Sequence, residues 1–263
     1  MQGEVCGEGR PVLVLHGWSL DRKVMMSCLE SVFSNREDWQ RIYVDLPGMG
    51  ASPSDPRIQT TDDMVDALVS LVDEVIGKEP FRIFGASYGA FLARAMLRWR
   101  PEQVTGMMLL CPIVLADRTK RTLPKPQVIH ADQALLTRLP QVAASSFSAM
   151  ATVQDTYRWR RFQREVLPAL KRADTPFLEG IRARGYGCSY DVDDLAKPFA
   201  GPVTIVAGRQ DASVGYADAW RLSEHYPRAT FAVLDRAAHL LQLEQPQLFR
   251  NLVLDWLDRN DHP

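Results

Sequence analysis

Six short apolar runs, separated by stretches of helical spacing, constrain this chain more than any other feature. They fall at residues 12–15, 41–44, 81–84, 106–110, 203–206 and 230–234. Continuous apolar runs of this length suit strands covered on both faces, the situation of a parallel sheet. Helical spacing occupies 61–76, 90–98, 217–225 and 247–258. The first of these has Thr60 or Thr61 available as N-cap, with Asp62 and Asp63 in the first turn, where the helix dipole favours anions. Strand and helix in alternation predict an α/β protein with a mostly parallel, doubly wound sheet. At 263 residues the chain can bury one large core or two small ones.

Residues 117–190 break the alternation. They are rich in Ala, Leu, Arg and Gln, are punctuated by Pro124, Pro126, Pro140, Pro168 and Pro176, and contain no convincing strand. The expectation is a helical cap inserted into a core made of residues 1–116 and 191–263. It would lie over the carboxyl edge of the sheet, where open α/β sheets bind ligands. The insertion holds 13 Lys and Arg against 6 Asp and Glu, so it carries +7 on a remainder of −8, within a chain of net −1. That total gives no reason to expect nucleic acid as partner. No apolar run approaches the roughly 20 residues of a membrane span, and the amino terminus lacks the apolar stretch of a signal peptide, which favours the cytoplasm. Cys6, Cys28, Cys111 and Cys188 are scattered, with no C-x-x-C spacing, so they predict reduced packing residues rather than a metal or redox site.

Gly85-Ala-Ser-Tyr-Gly89 follows one predicted strand and precedes a predicted helix. A sharp strand-to-helix turn would hold Ser87 strained, with its hydroxyl raised above the sheet, and glycines on both sides let neighbouring backbone approach. The pattern alone is weak, since chance supplies it roughly once in ten chains of this size. Its placement is what gives it weight. A serine hydroxyl needs a base. Of His16, His130, His225, His239 and His262, His239 is the candidate base, since it follows residues 230–234 in a loop that could reach Ser87 from the carboxyl edge. The base in turn needs an acid to fix its tautomer. Asp211 follows residues 203–206, and the order Ser87, Asp211, His239 is that of sheets bearing such an elbow. After residues 106–110 stands Cys111-Pro-Ile-Val-Leu115, which has no carboxylate. The backbone N–H groups of Tyr88 and of Trp18, in His16-Gly-Trp-Ser19, are the candidate oxyanion donors. His16 is expected to orient that loop. No metal or organic cofactor is needed.

His16-Gly-Trp18, Asp45-Leu-Pro-Gly-Met-Gly-Ala-Ser52, Gly85-Ala-Ser-Tyr-Gly89, Gly208-x-x-Asp211 and His239-x4-Glu244-x-Pro246 together resemble the successive signatures of the α/β-hydrolase superfamily. The resemblance runs from about Glu8 to Trp256 and implies a serine hydrolase in which Asp45 and Ser52 are structural. The serine at 87 argues against the dehalogenases and epoxide hydrolases, which carry aspartate there. The short amino terminus, expected to lack the first edge strand of larger members, and the small cap are most similar to the carboxylesterases that include the pimeloyl carrier-protein methyl ester esterase. The implied reaction is hydrolysis of a small-molecule carboxylic ester through an acyl-enzyme. Cleavage of a carbon–carbon bond by the same residues, or a ligand receptor without turnover, are the alternatives.

The apolar cap residues Phe147, Trp159 and Phe162 are expected to line the substrate pocket. Leu135, Leu136, Met150 and Phe177 divide between packing and that pocket. The basic residues, densest in Tyr157-Arg-Trp-Arg-Arg-Phe-Gln-Arg164, admit two readings. They form a solvated face paired with the acidic core, or they attract an anionic substrate or an acidic carrier protein.

Overall fold

The computed structural model describes residues 1–261; His262 lies outside them. The chain opens on β1 (Gln2–Cys6) and β2 (Arg10–Leu15), followed by α1 (Arg22–Phe33), β3 (Trp39–Asp45), α2 (Thr61–Val75), β4 (Phe81–Ala86), α3 (Tyr88–Trp99) and β5 (Val104–Leu110). All six apolar runs form strands of one seven-stranded sheet. β1 joins it at the edge, antiparallel to β3, in a segment where no strand was read. β1 is almost wholly exposed, so no apolar periodicity marks it, and it is held through its backbone pairing with residues 41–45. Every other neighbouring pair in the sheet is parallel.

The cap helices enter between β5 and β8 (Val203–Gly208). In order they are β6 (His130–Ala131), α4 (Gln133–Leu136), α5 (Gln141–Met150), β7 (Val153–Gln154), α6 (Thr156–Arg161), α7 (Leu167–Arg172) and α8 (Thr175–Gly185). A π-helical turn, Phe162–Val166, joins α6 to α7 without a break. The expectation of no strand here fails only at β6 and β7, two residues each and paired in parallel. Such a pair is too short to need an apolar run. Pro168 and Pro176 stand in the first turns of α7 and α8, where a missing N–H costs nothing, and Pro140 caps α5. The chain closes with α9 (Ala217–Ser223), β9 (Ala229–Leu234), α10 (Leu241–Glu244) and α11 (Pro246–Asp261).

Local sequence accounts for the helices that frame the site. Thr60 is the N-cap of α2. Its hydroxyl accepts from Asp63 N–H at 3.3 Å while the Asp63 carboxylate accepts from Thr60 N–H at 2.9 Å, a reciprocal capping box. α3 is buried over ten consecutive residues, from Tyr88 to Leu97, which fixes it under the sheet behind the nucleophile turn. The main core spans both faces of the sheet, and a second, smaller core joins the cap to Leu20, Val24, Leu240 and Leu243. Among the described residues no helix is long and apolar enough to cross a membrane.

Candidate active site

β4 ends at Ala86 and α3 begins at Tyr88, so Ser87 is the whole turn between them. Its φ of 54° and ψ of −111° lie where a side chain is strained by about 1–3 kcal/mol. The surroundings impose that conformation: Ser87 N–H donates to Leu110 O at 2.8 Å, and its carbonyl accepts from the N–H groups of Ala90, Phe91 and Ile113. A Cβ on Gly89 would collide with the Leu15 carbonyl, so only glycine lets α3 start this close to β2.

The strained turn aims Ser87 Oγ at His239 Nε2, 3.0 Å away, and His239 Nδ1 lies 2.8 Å from Asp211 Oδ2. Asp211 is fully buried, whereas His239 keeps 14% of its side chain exposed. The second Asp211 oxygen accepts from Ser213 N–H at 2.8 Å and Val214 N–H at 3.2 Å. Burial works against the Asp211 carboxylate, but His239 and the two N–H donors outweigh it and hold the acid below its usual range. Burial likewise opposes the His239 imidazolium, yet the charge and hydrogen bond of Asp211 raise it above an ordinary histidine. This is a nucleophile, base and acid in relay.

A model of the Alpha/beta hydrolase family matches residues 12–252. The chain belongs to that family. It is 24% identical to monoacylglycerol lipase ABHD6 of Rattus norvegicus, over 97% of this chain and 79% of the relative. It is 26% identical to the pimeloyl-[acyl-carrier protein] methyl ester esterase of Aeromonas hydrophila, over 94% of this chain and 95% of the relative. Among solved structures, an alpha/beta superfamily hydrolase from Oenococcus oeni superposes with a TM-score of 0.88 at 29% identity, covering 97% and 96% of the two chains. The two named esterase groups stand at similar identity, so the family is established and neither group is singled out.

In this α/β hydrolase, Trp18 and Tyr88 flank the nucleophile. A Cβ on Gly17 would lie 3.3 Å from Ser87 Cβ, which measures how closely the Trp18 loop approaches. Neither the Trp18 nor the Tyr88 N–H has an acceptor among the described residues. His16 holds the loop as expected from the sequence. Its Nδ1 lies 2.8 Å from Gly17 O and its Nε2 accepts from Leu46 N–H at 3.0 Å, which assigns a neutral ring protonated at Nδ1. Burial, its largest influence, lowers its proton affinity further. Asp45 accepts from Arg22 and Ala51, and Ser52 Oγ donates to Asp45 O at 2.6 Å, so both serve the loop structure.

Glu244, quoted from the sequence only as part of a signature, ties the cap to the histidine loop. One carboxylate oxygen accepts from Thr152 N–H at 2.7 Å and Val153 N–H at 2.8 Å; the other accepts from Ala238 N–H at 2.6 Å. Gln210 adds a further brace, accepting from Ala237 N–H at 3.1 Å. The Glu244 carboxyl is pushed up from 4.5 to about 7 by burial, against the pull of the three N–H donors. Between those values the folded chain holds a proton that the unfolded chain has released, so this group's contribution to stability falls as pH rises through that window. Glu244→Gln removes that slope. Its amide also sets an NH2 against a backbone N–H on whichever side it faces, at a cost of about 1–3 kcal/mol. Thermal melts across pH 4.5–7 check both effects, and equal melting curves for the two proteins would refute them.

Cys111 Sγ, Asp211 and His239 offer donor atoms within 4.8 Å of one another. Asp211 and His239 already spend those atoms on each other, and burial beside Asp211 raises the Cys111 thiol well above its ordinary value, which disfavours a thiolate ligand. The cluster is therefore that of a triad rather than a metal centre.

The cap residues expected to line the pocket are placed together. Phe147, Trp159 and Phe162 pack with ring centroids 5.3–5.9 Å apart in the smaller core, each buried. The dense arginine run lies elsewhere: Arg160, Arg161 and Arg164 border a groove with Ser27, Tyr157 and Arg250, and none of the triad lines it. Arg161 and Arg164 bind Glu165, which also accepts from Ser27 Oγ at 3.1 Å and so anchors the cap to α1. The exit of α8 also reaches the nucleophile turn. Tyr186 stacks on Tyr88 at 5.3 Å and meets Trp18 edge-on at 4.9 Å.

Proposed function

We propose that this α/β hydrolase cleaves a small-molecule carboxylic ester, with Trp18 and Tyr88 N–H groups as its oxyanion hole. The observation that carries the reading is the unbroken relay from Ser87 Oγ through His239 to Asp211. His239 Nε2 takes the Ser87 proton as Oγ attacks the ester carbonyl carbon. The oxygen turns anionic within reach of two N–H donors that have no other acceptor. Collapse expels the alcohol, which takes the proton from His239 and leaves an acyl-serine. Water then gives a proton to His239 and attacks the acyl carbon, and return of that proton to Ser87 releases the acid.

The methyl ester esterase and monoacylglycerol lipase relatives share a carboxylic ester and differ in the groups around it, so the ester is what we carry over. We assign residues 117–190 as the cap and 1–116 with 191–263 as the core. Phe147, Trp159 and Phe162 give the cap an apolar interior that supports an acyl pocket, against which Leu20 and Leu240 pack from the core. An acyl group borne on an acidic carrier protein would meet the outer face of the cap, where Arg160 and Arg164 are exposed.

Fluorophosphonate labelling, with p-nitrophenyl esters of graded chain length, tests the reading. The expected result is one covalent adduct on Ser87 and turnover with a chain-length optimum. Folded protein that neither labels nor turns over any ester would place it among ligand-binding members of the fold.

A further inference from the structure

A cavity of about 500 Å³ is lined by Ala116, Asp117, Arg118, Arg121, Arg182, Tyr186 and Gly187, and two of its arginines reach the Asp211 and Trp18 loops. Three guanidinium groups face it against one carboxylate. That carboxylate, Asp117, is occupied by Thr119 N–H at 2.9 Å, Thr119 Oγ1 at 2.7 Å and Lys120 at 3.8 Å. Among the described residues none of the three arginines has a carboxylate within ion-pair distance, whereas Arg158, Arg161, Arg164 and Arg172 of the cap do.

Two of the three are held in place by neutral groups. Arg121 donates to the carbonyls of Leu115 at 2.7 Å, Ala116 at 3.0 Å and Ser213 at 2.9 Å, which fixes the guanidinium and leaves two N–H groups unspent. Arg182 lies over the rings of Trp18 at 5.5 Å and Tyr186 at 5.3 Å. A positive group positioned by carbonyls and aromatic faces, with no counter-charge, is prepared for an anion that arrives from outside.

Its position selects the anion's source. Ser213 N–H binds the triad acid while Ser213 O holds Arg121, so one wall of the cavity is built on the Asp211 loop. The other wall, Arg182 on Trp18, is built on the loop that touches Ser87. The charge of Arg121 is felt at His239, which it lowers. Both walls are therefore tied to loops that carry or touch the triad.

We propose that Arg121 and Arg182, with Arg118 at the rim, form a carboxylate subsite, and that the substrate is a hemiester of a short dicarboxylic acid. The proposal rests on the ester-hydrolase reading above and names its substrate class. The hydrolysed ester carbonyl sits at Ser87 while the free carboxylate at the far end of the acyl chain pairs with the guanidinium groups.

The test compares the monomethyl and dimethyl esters of succinate, glutarate and adipate. In the wild type kcat/KM favours the monoester at the best chain length. Arg121→Gln and Arg182→Gln each lower the monoester-to-diester ratio by about tenfold. Arg138→Gln, at an exposed cap arginine outside the cavity, leaves the ratio unchanged. Calorimetric binding of the free dicarboxylate supplies a readout independent of turnover, with about tenfold weaker binding in the two cavity variants. A ratio unmoved by either variant, or dicarboxylate binding equal in all proteins, overturns the subsite. Absence of all ester turnover with dicarboxylate binding that depends on Arg121 and Arg182 overturns the hydrolase reading and upholds the anion site.

Discussion

Ser87→Ala lowers kcat on p-nitrophenyl esters by about a million-fold and abolishes fluorophosphonate labelling. The magnitude is that of losing the nucleophile from a triad that acts as a unit; the residual rate over water comes from binding and the oxyanion donors. Nothing nearby can substitute. Cys111 stands beside Asp211 and His239, but its thiol is buried, raised well above its ordinary value and turned to Ala238 O. The backbone makes a second variant informative. Alanine keeps the Cβ and therefore the strain at φ 54°, whereas Ser87→Gly releases it. Set against the entropy cost of a glycine, the release leaves a gain of about 1 kcal/mol. The expected order of melting temperatures is Gly above Ala, with both proteins inactive. More than about 1% residual turnover in either variant would move the nucleophile elsewhere.

The sheet was legible because its parallel strands are covered on both faces and appear as uninterrupted apolar runs. β1 was not, since Gln2–Cys6 is an exposed edge joined through backbone hydrogen bonds that no side chain advertises. α1 was passed over although Val24, Cys28 and Leu29 recur at helical spacing after the N-cap Asp21, whose side chain accepts from Lys23 N–H at 3.1 Å. The triad was readable residue by residue because each member sits just past the end of a strand. Glu244 and Arg121 were harder for a common reason. Their importance lies in backbone groups they bind across the chain, Thr152 and Ala238 in one case and Ser213 in the other, and backbone groups are identical at every position. Charge counting pointed to the cap and to its densest run, but density does not tell which arginines lack a carboxylate partner. The dense run at Arg158–Arg164 is spent largely on Asp155, Glu165 and backbone carbonyls, while Arg118, Arg121 and Arg182, which border the cavity without a carboxylate partner, are spread over two segments.

Asp211→Asn costs about four orders of magnitude in kcat, through the tautomer of His239 rather than through lost structure. The geometry dictates which way the new amide turns. One oxygen of Asp211 accepts from both Ser213 and Val214 N–H, so the asparagine carbonyl takes that place and its NH2 faces His239 Nδ1. Nδ1 must then accept, which puts the ring proton on Nε2, where it blocks removal of the Ser87 proton. The pH dependence moves as well. In the wild type His239 is raised above 6.5, so kcat/KM climbs with pH through that higher value as the imidazole becomes neutral. Without Asp211 only influences that lower His239 remain, burial and Arg121, and the acid limb shifts to lower pH. Stability follows the same two groups. The raised His239 stabilises the fold below 6.5 and loses that contribution as pH rises through its folded value; the depressed Asp211 stabilises it above 3.8 and loses it as pH falls. In the variant the Asp211 dependence disappears and that of His239 changes sign, since a lowered histidine loses stability as pH falls below 6.5. A pH–rate profile with melting curves at matched pH measures all of this, and an acid limb that stays in place would show that Asp211 does not set the proton affinity of the base. A double variant carries the argument one step further. Cys111 Sγ lies within 4.8 Å of the His239 and Asp211 donor atoms, so Cys111→Asp in the Asp211→Asn background returns a carboxylate to the imidazole. Recovery of about tenfold or more in kcat identifies the missing element as a negative acceptor at Nδ1, and no recovery places the requirement on the Asp211 loop itself.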